Sequence, residues 1–445
     1  MPLFLFCGEK IYELSGKSIA EYKYNEMGQV AEKKITDRDI GEIKTGYEYD
    51  KRGRTSAIIT QMGREEIEYD KAGRIIGKKN SQTGEEKRYA YYPSGKVKSV
   101  VIKKEGEIVY TENNEYNQNG SKTQEEINGE VRKYKYDGMG RLKSTQRQNG
   151  DMTEYEFDGF GNIAKEYTVN ALGIGLKQYH YTKDGRLSLS ESESETVSYS
   201  YNKNGSLKEK TVYGSGAPQT YNYSYDGNNR LREYVSEKDV VSYEYNLSGL
   251  RESKTQNGER TRYIYDEGNI VGEEKEGDYY IYYRATELIG YESYSGSEGY
   301  YRQNSHGSVV SVTDSFGEEK RNYTYSDYGK KEAFRLKPMG EETTVYVWKA
   351  ETDGVYNPFG YCGEYLDEET GFIYLRNRYY DPSIGRFITE DPARDGLNWY
   401  AYCGNDPINA VDPWGLDAVL ITADHAAFGA GHTSAIYQDS DGKWF

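Results

Sequence analysis

Short stretches in which tyrosines alternate with polar residues recur along most of this chain, each followed by a turn-forming sequence. The consensus is Y-x-Y-D-x-x-G-R, with clear copies at residues 47–54 and 134–141. Degraded copies surround the aromatic residues Tyr24, Tyr69, Tyr91, Tyr116, Phe157, Tyr181, Tyr201, Tyr225, Tyr245 and Tyr265. Successive copies lie 20 to 25 residues apart. This near-constant spacing predicts a repeat architecture in which each unit packs against its neighbours.

Each repeat has the pattern of a β-hairpin. The Y-x-Y segment alternates with the period of a strand, and the aspartate that follows can hydrogen-bond to its own backbone. The glycine supplies the positive φ angle that a tight turn needs, and a second alternation follows, as in residues 141–145. We therefore predict an all-β fold of stacked hairpins in one long antiparallel sheet. Such a sheet must curl or close, because twist accumulates and open edges are a liability.

The tyrosine content changes the interpretation of an otherwise polar composition. Of the 445 residues, 29% are charged, the net charge is -16 and the mean hydropathy is -0.94. Values of this kind lean toward disorder. The chain also has 49 tyrosines, and they are placed periodically. Because a tyrosine ring can pack while its hydroxyl stays hydrated, this pattern favours a folded chain with packed tyrosine rings over a disordered one.

Charge, cysteine spacing and hydropathy exclude several classes of protein. The acidic balance argues against nucleic-acid binding, since phosphate contacts need Lys and Arg. Cys7, Cys362 and Cys403 have no spacing typical of a disulfide framework or a metal site, and we predict neither a metal nor a cofactor. No apolar run reaches transmembrane length, and the run at 2–7 is too short for a signal peptide. We interpret the chain as a fragment of a longer gene product.

A denser segment follows the repeats, which become irregular from about residue 270. Prolines and glycines concentrate in the runs Y-L-R-N-R-Y-Y-D-P at 374–382, G-R-F-I-T-E-D-P at 385–392 and D-P-W-G-L at 412–416. Such a concentration of turn-forming residues is typical of one tightly specified structure and not of another tolerant repeat.

These runs and the repeats together resemble the Rhs/YD-repeat polymorphic toxins, relatives of insecticidal toxin-complex C subunits and, more distantly, of teneurins. The resemblance covers roughly residues 20 to 416. It implies that the repeats wind into a hollow β-cocoon, that an Rhs-associated core domain caps one end, and that a variable C-terminal toxin is sealed inside until delivery. On this basis residues 1–20 belong to an upstream part of the array, 21–290 to the YD-repeat shell, 291–416 to the Rhs core and 417–445 to a truncated toxin domain.

The same resemblance implies an intramolecular aspartyl protease that cuts after the leucine of D-P-x-G-L. Carried onto this chain, the bond to be cut joins Leu416 and Asp417. The implied site residues are the carboxylates Asp391, Asp412 and Asp395 and the orienting cation Arg386.

A carboxylate pair suits this chemistry, because two nearby carboxylates do not readily both ionise. The charged one activates water and the neutral one protonates the carbonyl. The substrate is the protein's own strand, so high effective molarity replaces binding affinity. A turn-setting role is the alternative for Asp391 and Asp412, because each precedes a proline, as do Asp381 and Asp406. Arg386 is equally well explained as the partner in a structural ion pair.

The tail after Leu416 departs from the repeat pattern. Residues 417–423 have the pattern of a strand, and residues 424–437 that of a glycine-punctuated turn and a second strand. The stretch G-H-T-S-A-I-Y resembles the histidine-bearing strand of papain-like or amidase-like hydrolases, which makes His432 a candidate general base of the payload. A tail of this length is too short to fold alone.

The favoured hypothesis is the shell of an Rhs-type toxin that encapsulates and releases a C-terminal effector, with self-cleavage after Leu416. Its partners are then its own C-terminal segment as cargo, an immunity protein and a delivery apparatus. A bacterial protein that is secreted or displayed at the cell surface fits this role. The alternative is a teneurin-like adhesion or glycan-binding scaffold without catalysis, and self-cleavage distinguishes the two.

Overall fold

The repeats form one continuous antiparallel sheet in the computed structural model of the chain. The structure describes residues 2–4, 10–15, 17–285, 287–332, 334–335, 346–347, 355–394, 396–416 and 419–420. The sheet contains 31 strands, and each strand pairs with the strands before and after it in sequence. The predicted all-β fold is confirmed. Among the described residues, no helix combines the length and apolarity needed to cross a bilayer.

The strands of the sheet follow one another with short turns between them. The first sixteen are β1 (Pro2–Phe4), β2 (Lys10–Ser15), β3 (Ser18–Tyr24), β4 (Val30–Asp37), β5 (Gly41–Tyr49), β6 (Thr55–Thr60), β7 (Gly63–Tyr69), β8 (Ile75–Asn80), β9 (Glu85–Tyr91), β10 (Val97–Lys104), β11 (Glu107–Tyr116), β12 (Lys122–Ile127), β13 (Glu130–Tyr136), β14 (Leu142–Arg147), β15 (Met152–Phe157) and β16 (Ile163–Asn170). The others are β17 (Gly173–Tyr181), β18 (Leu187–Glu191), β19 (Thr196–Tyr201), β20 (Leu207–Tyr213), β21 (Gln219–Tyr225), β22 (Leu231–Val235), β23 (Val240–Tyr245), β24 (Arg251–Gln256), β25 (Glu259–Asp266), β26 (Asn269–Lys275), β27 (Asp278–Arg284), β28 (Leu288–Ser293), β29 (Glu298–Gln303), β30 (Val309–Thr313) and β31 (Glu319–Asn322).

The turn of each repeat is built by its aspartate. Oδ1 of Asp50 accepts hydrogen bonds from the backbone N–H groups of Arg52, at 2.8 Å, and Arg54, at 3.0 Å. Oδ2 accepts a third bond from Nε of Arg54, at 2.8 Å. Gly53 closes the turn with a φ angle of 80°, in the left-handed region where a side chain is strained. The aspartate, glycine and arginine of the motif therefore form one hydrogen-bonded turn.

The arginine and the next tyrosine join one repeat to the following one. The Arg54 guanidinium lies 4.4 Å from the ring centre of Tyr69, and the Tyr69 hydroxyl donates to the carbonyl of Thr55 at 2.8 Å. The same hydroxyl-to-carbonyl bond joins Tyr49 to Val30, Tyr91 to Ile75, Tyr136 to Lys122, Tyr181 to Ile163, Tyr225 to Leu207, Tyr245 to Leu231 and Tyr265 to Arg251. In these copies the hairpin is thus tied to the preceding one by a hydrogen bond, and in some also by a cation–π contact.

A β-bulge recurs at this same aromatic residue. The pairing register shifts between Glu48 and Tyr49 and again between Lys135 and Tyr136. Equivalent shifts occur at Tyr24, Tyr69, Tyr116, Phe157, Tyr181, Tyr201, Tyr225, Tyr245 and Tyr265. Because a bulge bends its strand and increases the local twist, one bulge per repeat curves the sheet at regular intervals.

The curvature brings early strands against late ones. Arg262 on β25 donates to both carboxylate oxygens of Asp37 on β4, at 2.8 and 2.9 Å. Lys87 on β9 lies 2.8 Å from Glu287, which precedes β28. An apolar cluster fills the space between these layers and includes Ile35, Ile40, Ile58, Met62, Ile264, Val271 and Ile281. The early and late strands of the sheet therefore meet through this apolar cluster. The cluster is separate from the one that the sheet forms with the C-terminal segment, described next.

The C-terminal segment packs against the inner face of the sheet and caps it. Its short strands are β32 (Thr324–Tyr325), β33 (Lys331–Glu332), β34 (Phe334–Arg335), β35 (Tyr346–Val347), β36 (Tyr365–Asp367), β37 (Phe372–Leu375), β38 (Arg378–Asp381), β39 (Arg386–Phe387), β40 (Ala410–Val411) and β41 (Val419–Leu420). Two 3₁₀ turns, Tyr361–Gly363 and Cys403–Asn405, complete it. We call residues 323–416 the plug. The sheet itself continues past residue 290, because β31 ends at Asn322.

Aromatic rings form most of the contact between the plug and the sheet. Tyr282 of the sheet meets Phe359 of the plug edge-on, with ring centres 4.8 Å apart. Tyr223 stacks on Phe372, with ring centres 5.8 Å apart. These rings belong to one buried cluster that runs from Tyr134 to Ala410. The periodic tyrosines of the repeats therefore serve as the wall against which the plug folds.

Phe157 provides a test of the bond between repeats, because it is the copy that lacks a hydroxyl. The Arg141 guanidinium lies 4.4 Å from its ring, the same distance as between Arg54 and Tyr69. In the other copies the acceptor is the carbonyl of the first residue of the preceding strand, and the corresponding residue here is Leu142. We expect Phe157→Tyr to add the missing hydrogen bond and raise the free energy of unfolding by about 0.5–1.5 kcal/mol. Tyr69→Phe should lower it by a similar amount. Denaturant titration of both variants checks the pair, and two shifts of the same sign would contradict it.

Candidate active site

A tight turn in the plug presents three polar side chains in succession. Strands β37 and β38 pair as a hairpin with Leu375 opposite Arg378, so that only Arg376 and Asn377 form the loop. Arg376 has a φ angle of 59°, in the left-handed region. The three side chains from Arg376 to Arg378 therefore project from the short end of a rigid hairpin.

These side chains bind the backbone of the D-P-W-G-L run, residues 412–416. Arg376 donates to the carbonyl of Pro413, and Nδ2 of Asn377 donates to that of Trp414 at 2.9 Å. Arg378 donates through Nε to the carbonyl of Gly415 and through Nη2 to that of Leu416, at 3.5 Å. Three consecutive residues thus hold four consecutive carbonyls, the last of which belongs to the bond expected to be cut.

Gly415 allows the run to lie this close to the hairpin. Its φ angle is 65°, and a Cβ atom there would lie 2.8 Å from the carbonyl oxygen of Leu375 and 3.0 Å from the backbone nitrogen of Arg378. Any side chain at this position would push the run away from the turn. The glycine of D-P-x-G-L is therefore required by contact as well as by conformation.

Asp391 and Asp412 converge on the guanidinium of Arg378. Oδ2 of each aspartate lies 3.7 Å from Nη2, so the two oxygens are no further apart than twice that distance. The side chains are almost completely buried, at 11% exposure for Asp391 and 3% for Asp412. The structure therefore brings together two carboxylates, one guanidinium and the carbonyl of Leu416.

Both aspartates also set turns, as the alternative interpretation of the D-P steps proposed. Oδ1 of Asp391 accepts from the backbone N–H of Ala393 at 2.8 Å, and Oδ1 of Asp412 accepts from that of Leu416 at 3.0 Å. In each residue one carboxylate oxygen holds the local backbone and the other faces Arg378. The turn bonds fix the direction in which the second oxygen points.

Arg378 was not singled out from the sequence, although it lies in the Y-L-R-N-R run. Its guanidinium is 4% exposed, lies 3.6 Å from the ring centre of Phe387 and donates to the carbonyl of Trp399 at 3.1 Å. A usable signal was its place at the start of β38, directly before two tyrosines and opposite the apolar strand β37. A charged residue there has to be paired, because burying an unpaired charge is costly.

Arg386 lies elsewhere. It donates to Oδ1 of Asn162 at 2.6 Å and to the carbonyl of Gly185 at 2.8 Å, both in turns of the sheet. Its guanidinium sits between the rings of Tyr181 and Tyr400, at 4.8 and 5.1 Å. These contacts join the plug to the sheet, whereas the cation that faces the two aspartates is Arg378. Asp395, Asp417 and His432 lie outside the described residues.

A buried charge cluster joins the plug to the sheet on the other side. Arg251, on β24, is completely buried and lies 2.5 Å from Oδ2 of Asp367. Lys254 contacts Oδ1 of Asp367 and a carboxylate oxygen of Glu369, both at 3.0 Å. Burial alone would raise the pKa of Asp367, but Arg251 and Lys254 hold it below its ordinary value. The sheet therefore supplies the cations and the plug supplies the anions.

A thiol and an imidazole also meet in the plug region, but not as a reactive pair. Sγ of Cys362 lies 3.4 Å from Nδ1 of His306. Burial raises the pKa of the thiol and lowers the pKa of His306 to about 4. Both groups are then neutral at pH 7, and a neutral thiol is a poor nucleophile. The contact packs the turn before β30 against the plug.

Segments of this chain are similar to known proteins. No protein-family model matches the chain. A 171-residue segment is 34% identical to the tRNA3(Ser)-specific nuclease WapA of Bacillus spizizenii and covers 36% of this chain. A 112-residue segment is 40% identical to the double-stranded DNA deaminase toxin A of Burkholderia cenocepacia and covers 25% of this chain. The resemblance to the Rhs/YD-repeat toxins is confirmed.

The match of this chain to these proteins is partial in length. The aligned segments span only 7% of each of the two curated proteins. Among solved structures, the Photorhabdus luminescens Tc holotoxin pore aligns with a TM-score of 0.46 and 15% identity, over 96% of this chain and 27% of that chain. At that TM-score the alignment supports no conclusion about fold or function.

Removing the buried anion should loosen the plug. In Asp367→Asn, Arg251 and Lys254 stay buried without their main counter-charge, and we expect the free energy of unfolding to fall by about 3–5 kcal/mol. The matched control is Glu32→Gln, which removes the partner of Lys23 from an exposed pair 2.6 Å long and should leave stability unchanged within error. Chemical denaturation measures both. Equal effects of the two substitutions would rule out the plug contact as a source of stability.

Asp406 should make stability depend on pH. Burial raises its pKa to about 6, against two hydrogen bonds from Nδ2 of Asn409 at 2.8 and 3.0 Å. The folded state thus binds this proton more tightly than the unfolded state, whose pKa is about 3.9. The contribution of Asp406 to stability therefore falls as pH rises from about 4 to about 6.

Asp406→Asn lacks this titration. We expect the difference in unfolding free energy, variant minus parent, to shift in favour of the variant by about 2 kcal/mol between pH 4 and pH 7. Thermal or denaturant unfolding across that range measures the difference directly. A difference that stays constant with pH would show that Asp406 titrates normally.

Proposed function

We propose that this chain is the shell and self-cleaving portion of an Rhs-type toxin, which encloses a C-terminal effector and cuts the bond between Leu416 and Asp417. One observation carries the proposal: Nη2 of Arg378 lies 3.7 Å from Asp391, 3.7 Å from Asp412 and 3.5 Å from the Leu416 carbonyl oxygen. Two acids, a cation and a peptide carbonyl in one buried place are the components of amide hydrolysis.

In the proposed reaction one of the two carboxylates accepts a proton from a water molecule as that water attacks the Leu416 carbonyl carbon. Arg378 stabilises the negative charge that develops on the carbonyl oxygen, as a preorganised donor in a buried site does. The bond from that carbon to the nitrogen of Asp417 breaks as the other carboxyl group passes a proton to the departing amine. The products are a carboxylate at Leu416 and a free amine at Asp417.

The hydrogen bonds to the run 412–416 replace a substrate-binding site. They hold the carbonyls of Pro413, Trp414, Gly415 and Leu416 before reaction, so the bond and the acids meet without a diffusional step. All of these contacts are to the backbone. A site of this kind acts once on its own chain and needs no affinity for other peptides.

Encapsulation is supported by the curvature of the sheet, which brings its early strands against its late ones, and by the packing of the plug on its tyrosine-lined face. The two curated relatives carry names that give different activities, one on tRNA and one on double-stranded DNA, yet both match this chain. A chain that matches proteins with different activities is more consistent with a carrier than with an effector. Under this proposal residues 417–445 are the start of the cargo.

The remaining partners follow from the same proposal. A cell that makes an enclosed toxin needs an immunity protein against the released effector, and the shell needs an export or delivery apparatus. Both relatives come from bacteria, and we place the action of this protein outside the producing cell. His432 is proposed as a base of the payload on its sequence alone.

Self-cleavage can be tested by intact mass under denaturing conditions near neutral pH. We expect the parent chain to lose residues 417–445, and Asp391→Asn and Asp412→Asn each to remain whole, because either change removes one of the two acids. Asp406→Asn is the matched control, since Asp406 also precedes a proline but lies outside the group around Arg378. It should be cut like the parent. Near-neutral handling matters because Asp-Pro bonds break in acid.

A parent chain that stays whole for days would refute the protease and favour the adhesive scaffold as the alternative. A cut that persists in both variants would refute the assignment of the two aspartates. Loss of cleavage in the Asp406 control as well would indicate that any damage to the plug prevents the cut, and the carboxylate pair would then lose its support.

A further inference from the structure

We call the D-P-W-G-L run, residues 412–416, the cleavage run. Through Trp414 it contacts the sheet as well as the hairpin of the plug. The ring of this residue packs on Gly268, in the turn between β25 and β26, so closely that a Cβ atom on Gly268 would lie 2.5 Å from it. On its other side lies the guanidinium of Arg376, 5.2 Å from the ring. Trp414 is 42% exposed, so burial in the core does not hold its ring in place.

Arg376 binds three parts of the molecule at once. Nε donates to the carbonyl of Gly268 at 2.8 Å, and Nη2 donates to Oδ1 of Asn269 at 3.0 Å. Nη1 contacts Glu364 of the plug at 2.7 Å and the carbonyl of Pro413 in the cleavage run. One guanidinium thus links a turn of the sheet, the plug and the segment to be cut.

These contacts span more than one hundred residues of sequence, since Arg376 and Gly268 are 108 positions apart. The turn at Gly268 supplies these contacts only when strands β25 and β26 lie against the plug. Until then Arg376 lacks the acceptors that fix its plane, and Trp414 lacks the surface on which its ring rests. The carbonyls of Pro413 and Trp414, three and two positions before Leu416, would then be held less firmly.

We propose that Gly268, Arg376 and Trp414 form a latch through which closure of the shell positions the cleavage run. The inference rests on the self-cleavage proposed above. It adds an order of events: the bond at Leu416 is cut after the sheet has closed over the plug, so the effector is separated only inside a completed shell. Arg376 and Trp414 act as positioning residues, because neither touches the reacting carbonyl.

The most direct test adds one methyl group to the sheet. Gly268→Ala pushes Trp414 outward, and because misplacement by about 1 Å can reduce a rate about a hundredfold, we expect cleavage to slow at least about tenfold. The matched controls are Gly258→Ala and Gly277→Ala, in the turns before β25 and after β26. Their φ angles, 94° and 78°, bracket the 81° of Gly268, and a Cβ atom there would meet nothing within 4 Å.

The reaction can be followed on the full chain made by cell-free synthesis, with the cut fraction read by intact mass at successive times. The controls carry the same backbone strain and should be cut at the parent rate. The unfolding temperatures of Gly268→Ala, Gly258→Ala and Gly277→Ala should be equal when each is combined with Asp412→Asn, which keeps the chain uncut. Equal temperatures separate a positioning effect from a general loss of stability. Slow cleavage with matched stability is the expected result.

A double-mutant cycle distinguishes the latch from an ordinary packing contact. Trp414→Ala should slow cleavage by itself, and in that background Gly268→Ala should have no further effect, because the added methyl no longer meets a ring. Arg376→Lys should also slow cleavage, because an ammonium cannot replace the planar fork that reaches all its acceptors. Trp414→Phe, which keeps a ring against Gly268, should restore most of the rate.

The outcomes separate the two proposals. If the parent is cut and Asp391→Asn is not, but Gly268→Ala is cut at the parent rate, the latch is overturned and the protease stands. Additive effects of Gly268→Ala and Trp414→Ala would overturn the latch in the same way. A parent chain that is never cut overturns both proposals.

Discussion

The structure depends on the contact between each repeat tyrosine and the preceding hairpin. A two-stranded hairpin is marginal alone, because its apolar side has nothing to pack against. Tyr69 supplies that partner: its ring receives the guanidinium of Arg54 and its hydroxyl binds the backbone of Thr55. Arg54 is itself held by Asp50. The tyrosine, aspartate and arginine of the motif therefore act across two repeats, which explains why they recur together.

The same tyrosine is also the position at which the sheet bends. At Tyr49, for example, one residue carries both the bulge and the hydrogen bond to the preceding hairpin. The contact that joins two repeats therefore lies at the point where the sheet bends. Curvature in turn creates an inner face lined with tyrosine rings, which the plug covers. Contacts between aromatic rings alone would not fix one position of the plug along the sheet, because they are not directional enough. Buried charges such as Arg251 and Asp367 are compensated in only one position, and they fix the register of the plug on the sheet.

The candidate active site uses this rigidity. Its acids come from two separate loops of the plug, Asp391 and Asp412, and each is aimed by a turn bond from its other carboxylate oxygen. Its proposed substrate, the run 412–416, is held through main-chain carbonyls by the hairpin turn that ends at Arg378. Because the contacts are to backbone, the run tolerates a bulky residue at Trp414, which in this chain packs outward onto the sheet.

The sequence by itself determined the hairpin repeat and the single long sheet, because both follow from local chemistry: strand alternation and turn residues at fixed places. The two aspartates were selected through the resemblance to the Rhs/YD-repeat toxins, since a D-P step by itself is equally well explained as a turn. The sequence did not determine which arginine faces the acids. Arg386 and Arg378 stand eight residues apart in similar surroundings, and only the packing of the plug sends one to Asn162 in the sheet and the other to the aspartates. The closure of early strands on late ones, and the contact of Trp414 with Gly268, were likewise beyond local pattern. They follow from curvature accumulated over many repeats, which no single segment of the chain encodes.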